Sequence, residues 1–189
     1  MAVYYAILIF GIGIPIACST FIALFIAKSC SSRWYKNLRK PAGYPPDSLF
    51  PILLVILSAM MASASTIVWC SEEKYDRWGL SENRLAIIGY LVQFFLTNLW
   101  PVVFFIGHKV TISLIQLVIA DAVLLFCAKL CCQVDTCAGF LVLPQLVWTT
   151  YCAILMYSIW LVNYNTQQTD HEKLLSAHHP PAPKYGVYV

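Results

Sequence analysis

The residues best suited to hold a ligand lie on one stripe. Between Leu85 and Gly107, the positions Gln93, Thr97, Trp100 and Phe104 follow i, i+4, i+7, i+11 spacing, with Asn98, Pro101 and Phe105 beside them. On a helix these share a face. An amide, a hydroxyl and two rings do not suit acyl chains, because an unpaired amide in hydrocarbon is strongly unfavourable. The stripe is therefore expected to look inwards. It serves either as the wall of a ligand cavity or as interhelical hydrogen bonding with core packing. Pro101 has no N–H to donate, which frees a carbonyl near one turn back and favours a hollow there.

A second ring-bearing face carries Trp148, Tyr151 and Leu155, with Tyr157 and Trp160 towards the end of the same run. Aromatics near a helix end usually form an interfacial belt, so the deeper Trp148 is the better pocket candidate. Asp121 is a carboxylate inside an apolar run. Its role is either functional or a pairing with a hydroxyl or amide of a neighbouring helix. Cys127, Cys131, Cys132 and Cys137 lack metal-ligand spacing and read as reduced thiols or lipid-modified sites. His178 and His179 sit in a proline-rich tail and read as solvated. No nucleophile–base constellation, phosphate loop or metal-ligand pair occurs, so no catalytic residue, metal or cofactor is expected.

Five apolar runs position these groups: about 4–27, 50–69, 85–107, 110–128 and 138–162. Each is long enough to span a bilayer as a helix, which takes about 20 residues. No Lys or Arg precedes Lys28, so the first run reads as a retained helix rather than a signal peptide. The loop 28–49 carries Arg33, Trp34, Tyr35, Lys36, Arg39, Lys40, Pro41, Pro45 and Pro46. Basic groups suit lipid head groups, aromatics suit the interface and prolines hold a shape, so this loop reads as a structured cover over one mouth of the bundle. The segment Lys129 to Cys137 reads as the last turn, and 163–189 as a disordered polar tail. The fold class is an all-α membrane protein, a five-helix transmembrane bundle.

Composition agrees: the 189 residues are 60% hydrophobic and 11% charged, far from the balance of a soluble domain. A net charge of +3 with the bases in short loops argues against nucleic acid as a partner. Eight cysteines lie mostly inside apolar runs, so no disulfide framework is expected. Eight of the twelve Lys and Arg residues fall on the side of the first loop, the third loop and the tail. That side is therefore expected in the cytosol. A homodimer is left open, since no Gly-x-x-x-Gly pair marks a contact face.

The order Arg33-Trp34-Tyr35, Lys40-Pro41, Pro45-Pro46, Trp100-Pro101-x-x-Phe104-Phe105 and Pro144-x-Leu146-x-Trp148 resembles the translocator protein family, also called tryptophan-rich sensory proteins or peripheral-type benzodiazepine receptors. The resemblance spans Arg33 to Trp160. It implies a five-helix bundle with a cavity beneath the first loop, binding of cholesterol, porphyrins and synthetic aromatic ligands, and residence in the mitochondrial outer membrane. The chain departs from the family pattern at Gly43 and Leu54, where the family has tryptophans. Thr97 stands at the family's asparagine and Gln116 at its acidic position. No basic residue follows Tyr157, where a proposed cholesterol motif needs one.

The function expected is a binder or carrier of flat lipophilic ligands, porphyrins or sterols. The expected contacts are Trp34, Tyr35, Lys40, Pro45 and Pro46 in the loop, and Gln93, Thr97, Asn98, Trp100, Phe104, Trp148 and Tyr151 in the bundle. A porphyrin-modifying enzyme, as the resemblance implies for some bacterial members, and a membrane scaffold recruiting partners through its tail are the alternatives.

Overall fold

A computed structural model describes residues 7–41, 43–71 and 81–178, with side chains at Ile9 and from Gly11 as far as Tyr164. Every element among them is helical. A π-helical stretch, Ile7–Gly13, leads into α1, Ile14–Ser29. A short α2, Arg33–Asn37, lies in the first loop. Then follow α3, Leu49–Cys70; α4, Glu82–Pro101, continued by a π-helical turn, Val102–Ile106; α5, Val110–Val134; and α6, Thr136–His178. Among the described residues, five helices are long and apolar enough to cross a membrane. The bases Lys74, Arg77 and Lys184, residues 4–6 of the first run and the tail from His179 lie outside the described residues.

Local chemistry sets the ends. Ser81 caps α4, its hydroxyl accepting from the Arg84 N–H, with Glu82 favourable in the first turn. Asn83 Nδ2 donates to the Val68 carbonyl at 2.9 Å and closes the end of α3. The last turn is shorter than the sequence suggests. Leu130, Cys131 and Val134 are buried in the core, so α5 runs on to Val134. A single extended residue, Asp135, turns the chain. Its Oδ1 accepts from the Ala138 N–H at 3.0 Å and caps α6. At the far end, α6 continues through Asn163 to His178 instead of giving way to an irregular tail at 163. That stretch holds no Gly or Pro, and Gln, Glu, Lys and Leu favour helix.

The spanning helices close a ring: α1 packs on α3, α3 on α6, α6 on α5, α5 on α4, and α4 returns to α1. Phe21, Leu24, Phe95, Ile115, Phe126, Phe140 and Val147 point outwards, the face a bilayer would cover. Inside, one apolar core under the first loop gathers Ile26, Phe50, Phe104 and Met156, and another at the opposite end gathers Met61, Leu124, Cys131 and Val142. A polar layer lies between them: Ser19, Ser58, Gln93, Asn98, Gln116, Gln145 and Thr149, all buried, with at least one from each spanning helix.

Candidate functional site

The first loop is a tied cover. Ser32 caps α2 by accepting from the Tyr35 N–H, and the single turn of helix drives Tyr35 wholly into the interior. The Tyr35 hydroxyl donates to Asp47 Oδ1 at 2.6 Å and accepts from the Tyr44 hydroxyl at 2.6 Å. Lys40 Nζ lies 3.3 Å from the same carboxylate oxygen, 3.7 Å from the centre of the Tyr35 ring and 4.7 Å from that of Tyr44. One cation thus serves a carboxylate and two ring faces. Burial, then the hydrogen bond to Asp47, pushes the Tyr35 phenol far above its ordinary range. Burial likewise raises Tyr44, and burial followed by the Asp47 charge raises the Cys30 thiol.

Two contacts fasten this cover to α6. The Tyr151 hydroxyl donates to the Gly43 carbonyl at 3.2 Å. Gly43 has φ +88°, a left-handed conformation that glycine adopts without strain. Asn163 pairs with the Arg39 backbone in both senses, accepting from its N–H at 3.4 Å and donating to its carbonyl at 3.1 Å.

Beneath the cover the rings form a file. Trp34 packs on His108 and edge-on against Phe104, with centroids 4.3 and 5.5 Å apart. Phe104 is parallel to Trp100, at 6.0 Å and 6°. Phe50 follows, 6.3 Å from Trp100 and 5.7 Å from Trp148. Trp148 leans on Tyr151 at 5.5 Å. The stripe on α4 does look inwards: Gln93, Asn98, Trp100 and Phe104 are buried, while Leu91, Phe95 and Val102 face outwards.

Below Phe50 lies a cavity of about 30 Å³, walled by Phe50, Thr97, Trp100, Trp148 and the polar Gln116, Gln145 and Thr149. About 10–15 Å³ holds one water, so this hollow is far smaller than a tetrapyrrole or sterol. The ligand-sized hollow expected from the sequence is closed in this structure, because the Phe50 ring fills the space between the two tryptophans.

The twelve expected contacts do not form one cluster. Thr97, Trp100 and Trp148 line the cavity. Trp34, Tyr35, Lys40, Pro45 and Pro46 belong to the cover, where Pro46 is exposed, and Tyr151 holds that cover from below. Phe104 is packed beneath Trp34. Asn98 is engaged elsewhere: it accepts from the Ser19 hydroxyl at 3.2 Å and donates to the Phe94 carbonyl, joining α1 to α4. Gln93 donates to Thr97 Oγ1 at 3.2 Å. On the facing helix, Gln145 donates to Thr149 Oγ1, also at 3.2 Å. This second Gln-x-x-x-Thr pair repeats the spacing of the first, and that repeat was the signal available for Gln145 and Thr149. Gln116 donates to the Leu96 carbonyl at 3.1 Å, five residues before Pro101. Asp121 sits at the α5–α6 seam beside the Thr150 hydroxyl, outside the cavity wall. All eight cysteines are free thiols.

Comparison with known proteins places this geometry among relatives. The sequence model of the TspO/MBR family matches residues 11–161. The chain is 28% identical to protein CrtK of Rhodobacter capsulatus over 156 residues, 76% of this chain and 92% of the relative. It is 26% identical to the tryptophan-rich protein TspO of Chlorobaculum tepidum over 133 residues, 70% of this chain and 81% of the relative. It is also 26% identical to translocator protein 2 of the dog over 153 residues, 80% of each chain.

Proposed function

The chain belongs to the TspO/MBR family of membrane proteins, and from that premise we propose that it binds and carries flat lipophilic ligands, porphyrins or sterols, inside the bundle beneath the first loop. The observation that carries this reading is the Phe50 ring held between Trp100 and Trp148 directly under the tied cover. A flat apolar side chain already occupies the place a flat ligand would take. Binding then exchanges one set of ring contacts for another.

The order of events follows from the packing. The contacts at Asp47, Gly43 and Arg39 let go, the cover lifts, and Phe50 rotates aside. The ligand enters between the two indoles and rests on the polar layer below. Apolar burial at about 25 cal/mol per Å² supplies most of the affinity. The cover sets the rate of exchange. One relative is named a translocator protein and another a tryptophan-rich sensory protein, and neither name describes an enzyme. The first loop and C-terminus are proposed to face the cytosol, with the mitochondrial outer membrane as the site of residence.

The test is a titration in nanodiscs with protoporphyrin IX and with cholesterol, read by tryptophan quenching. Trp100→Leu and Trp148→Leu are each expected to weaken binding by about tenfold or more, as the loss of an aromatic pair and its buried area implies. Unchanged affinity in both variants, with the bundle still folded, would remove the reading.

A further inference from the structure

On the outside of the bundle, at the mouth covered by the first loop, a groove of about 300 Å³ lies between the α4–α5 turn and α6. Its wall joins His108, Lys109 and Ile112 to Trp160, Asn163 and Tyr164. It shares no residue with the cavity below Phe50. The turn is held in place from the cover: the His108 ring rests on Trp34 at 4.3 Å. His108 has φ +53°, a left-handed conformation that few non-glycine residues adopt, and Lys109 follows it at the start of α5. On the opposite wall Tyr157, Trp160 and Tyr164 stack along α6, with centroids 6.2 and 5.2 Å apart. The Asn163 amide is tied to the Arg39 backbone and fixes that wall to the first loop.

The charge of the groove is positive. Lys109 is exposed, and among the described residues no carboxylate lies within ion-pair distance of it. Lys28, Arg33, Lys36, Arg39 and Lys40 lie at the same mouth, and the described carboxylate there, Asp47, already meets Lys40. Below the groove the surface turns apolar. Ile112, Ile115 and Ile119 follow i, i+3, i+7 spacing on α5, and each is more than half exposed. A cationic pocket at the interface thus stands over an apolar track that runs into the span. A free anion or an acidic peptide would use the pocket and leave the track bare. A molecule with an anionic head and a hydrocarbon chain uses both.

We infer that this groove is a binding site for the head group of an anionic phospholipid. The phosphate sits at Lys109 and His108, and an imidazole offers a ring N–H whether neutral or charged. The glycerol region rests against Trp160 and Tyr164, ring types that suit head-group depth. One acyl chain follows the three isoleucines. Basic pockets between transmembrane helices take head groups of this class. The site does not depend on what the bundle carries inside.

Native mass spectrometry of the full chain tests it by counting retained lipid, with phosphatidylglycerol and phosphatidylcholine of matched acyl chains in competition. The wild type is expected to retain phosphatidylglycerol over phosphatidylcholine by roughly fivefold, as one lysine at a lipid surface implies. Lys109→Gln should abolish the preference, and Lys28→Gln, at the same mouth but outside the groove, should keep it. Excess inorganic phosphate should leave the lipid bound. Equal retention of the two lipids by the wild type overturns the inference. A preference lost equally in both variants reports the charge of the whole mouth and overturns it as well. Displacement by phosphate marks a free-anion site instead. A lipid-free dimer that Lys109→Gln dissolves would seat a second copy in the groove. A preference that arises only in Asp170→Asn/Glu172→Gln would seat the chain's own acidic stretch there. Any of these three outcomes removes the phospholipid from the site.

Discussion

Phe50→Ala separates the closed state from the binding state. The ring is 2% exposed and touches Tyr44, Trp100 and Trp148. Truncating a buried Phe costs about 3–5 kcal/mol, part of it from the cavity left behind. For a chain of this length the thermal midpoint should fall by roughly 6–20 °C. On the proposed function, the same ring is what a flat ligand would displace. If only the fraction of molecules with Phe50 turned aside is competent, wild-type affinity is reduced by that fraction. Removing a barrier of about 3 kcal/mol would tighten binding by about 100-fold. Some of that gain is lost with the contacts the displaced ring would make to the ligand, so about 10- to 100-fold is expected. The assay pairs a melting curve with a protoporphyrin IX titration in the same nanodiscs. A variant that melts earlier and binds tighter confirms the exchange. A variant that melts earlier and binds no better, or more weakly, refutes the idea that Phe50 holds the ligand's place.

The cover and the joints yield three more expectations. Asp47→Asn breaks the charged contact with Lys40 and weakens that with Tyr35, and it should speed ligand release by roughly 10-fold; stopped-flow chase with excess unlabelled ligand reads this directly, and an unchanged release rate removes the cover from exchange control. Tyr35 and Tyr44 are held neutral, with folded pKa above the unfolded value, so their contribution to stability is complete below about pH 10 and falls as pH rises beyond it. Absorbance titration should therefore show no loss of amplitude near pH 10 when Tyr35→Phe is compared with wild type. Asp135→Ala removes the N-cap of α6 and should cost about 1 kcal/mol, read as an earlier melt with ligand affinity retained.

What the sequence makes legible follows from the range of each interaction. The spans are legible because a bilayer demands about 20 apolar residues in a row, a one-dimensional property. The inward stripe on α4 is legible for the same kind of reason: helical period alone puts Gln93, Trp100 and Phe104 on one face. The α5–α6 joint is not, because Cys131 and Val134 stay helical only through contacts with residues from other parts of the chain, and one carboxylate then suffices to turn it. Asn98 illustrates the same limit. Its type marks it as inward-facing, but only the position of Ser19, on another helix, decides that it fastens α1 rather than facing a ligand.

Phe50 is the sharpest case. In the chain it is one apolar residue among many at the start of a span, next to a basic and proline-rich loop of more conspicuous composition. Its importance is volumetric: it stands between two indoles contributed by different helices, and volume depends on rotamers and packing that no spacing encodes. Aromatic residue types therefore point to the inward-facing ring file but do not say how closely it packs. The polar layer beneath explains why closure does not simply become a solid core. Two of its amide–hydroxyl pairs run along their own helices, Gln93 with Thr97 and Gln145 with Thr149, and small hollows remain beside them. On the proposed function, a bundle with an aromatic top and a polar floor would admit a flat molecule by moving one ring and one loop, with the spanning helices left in place.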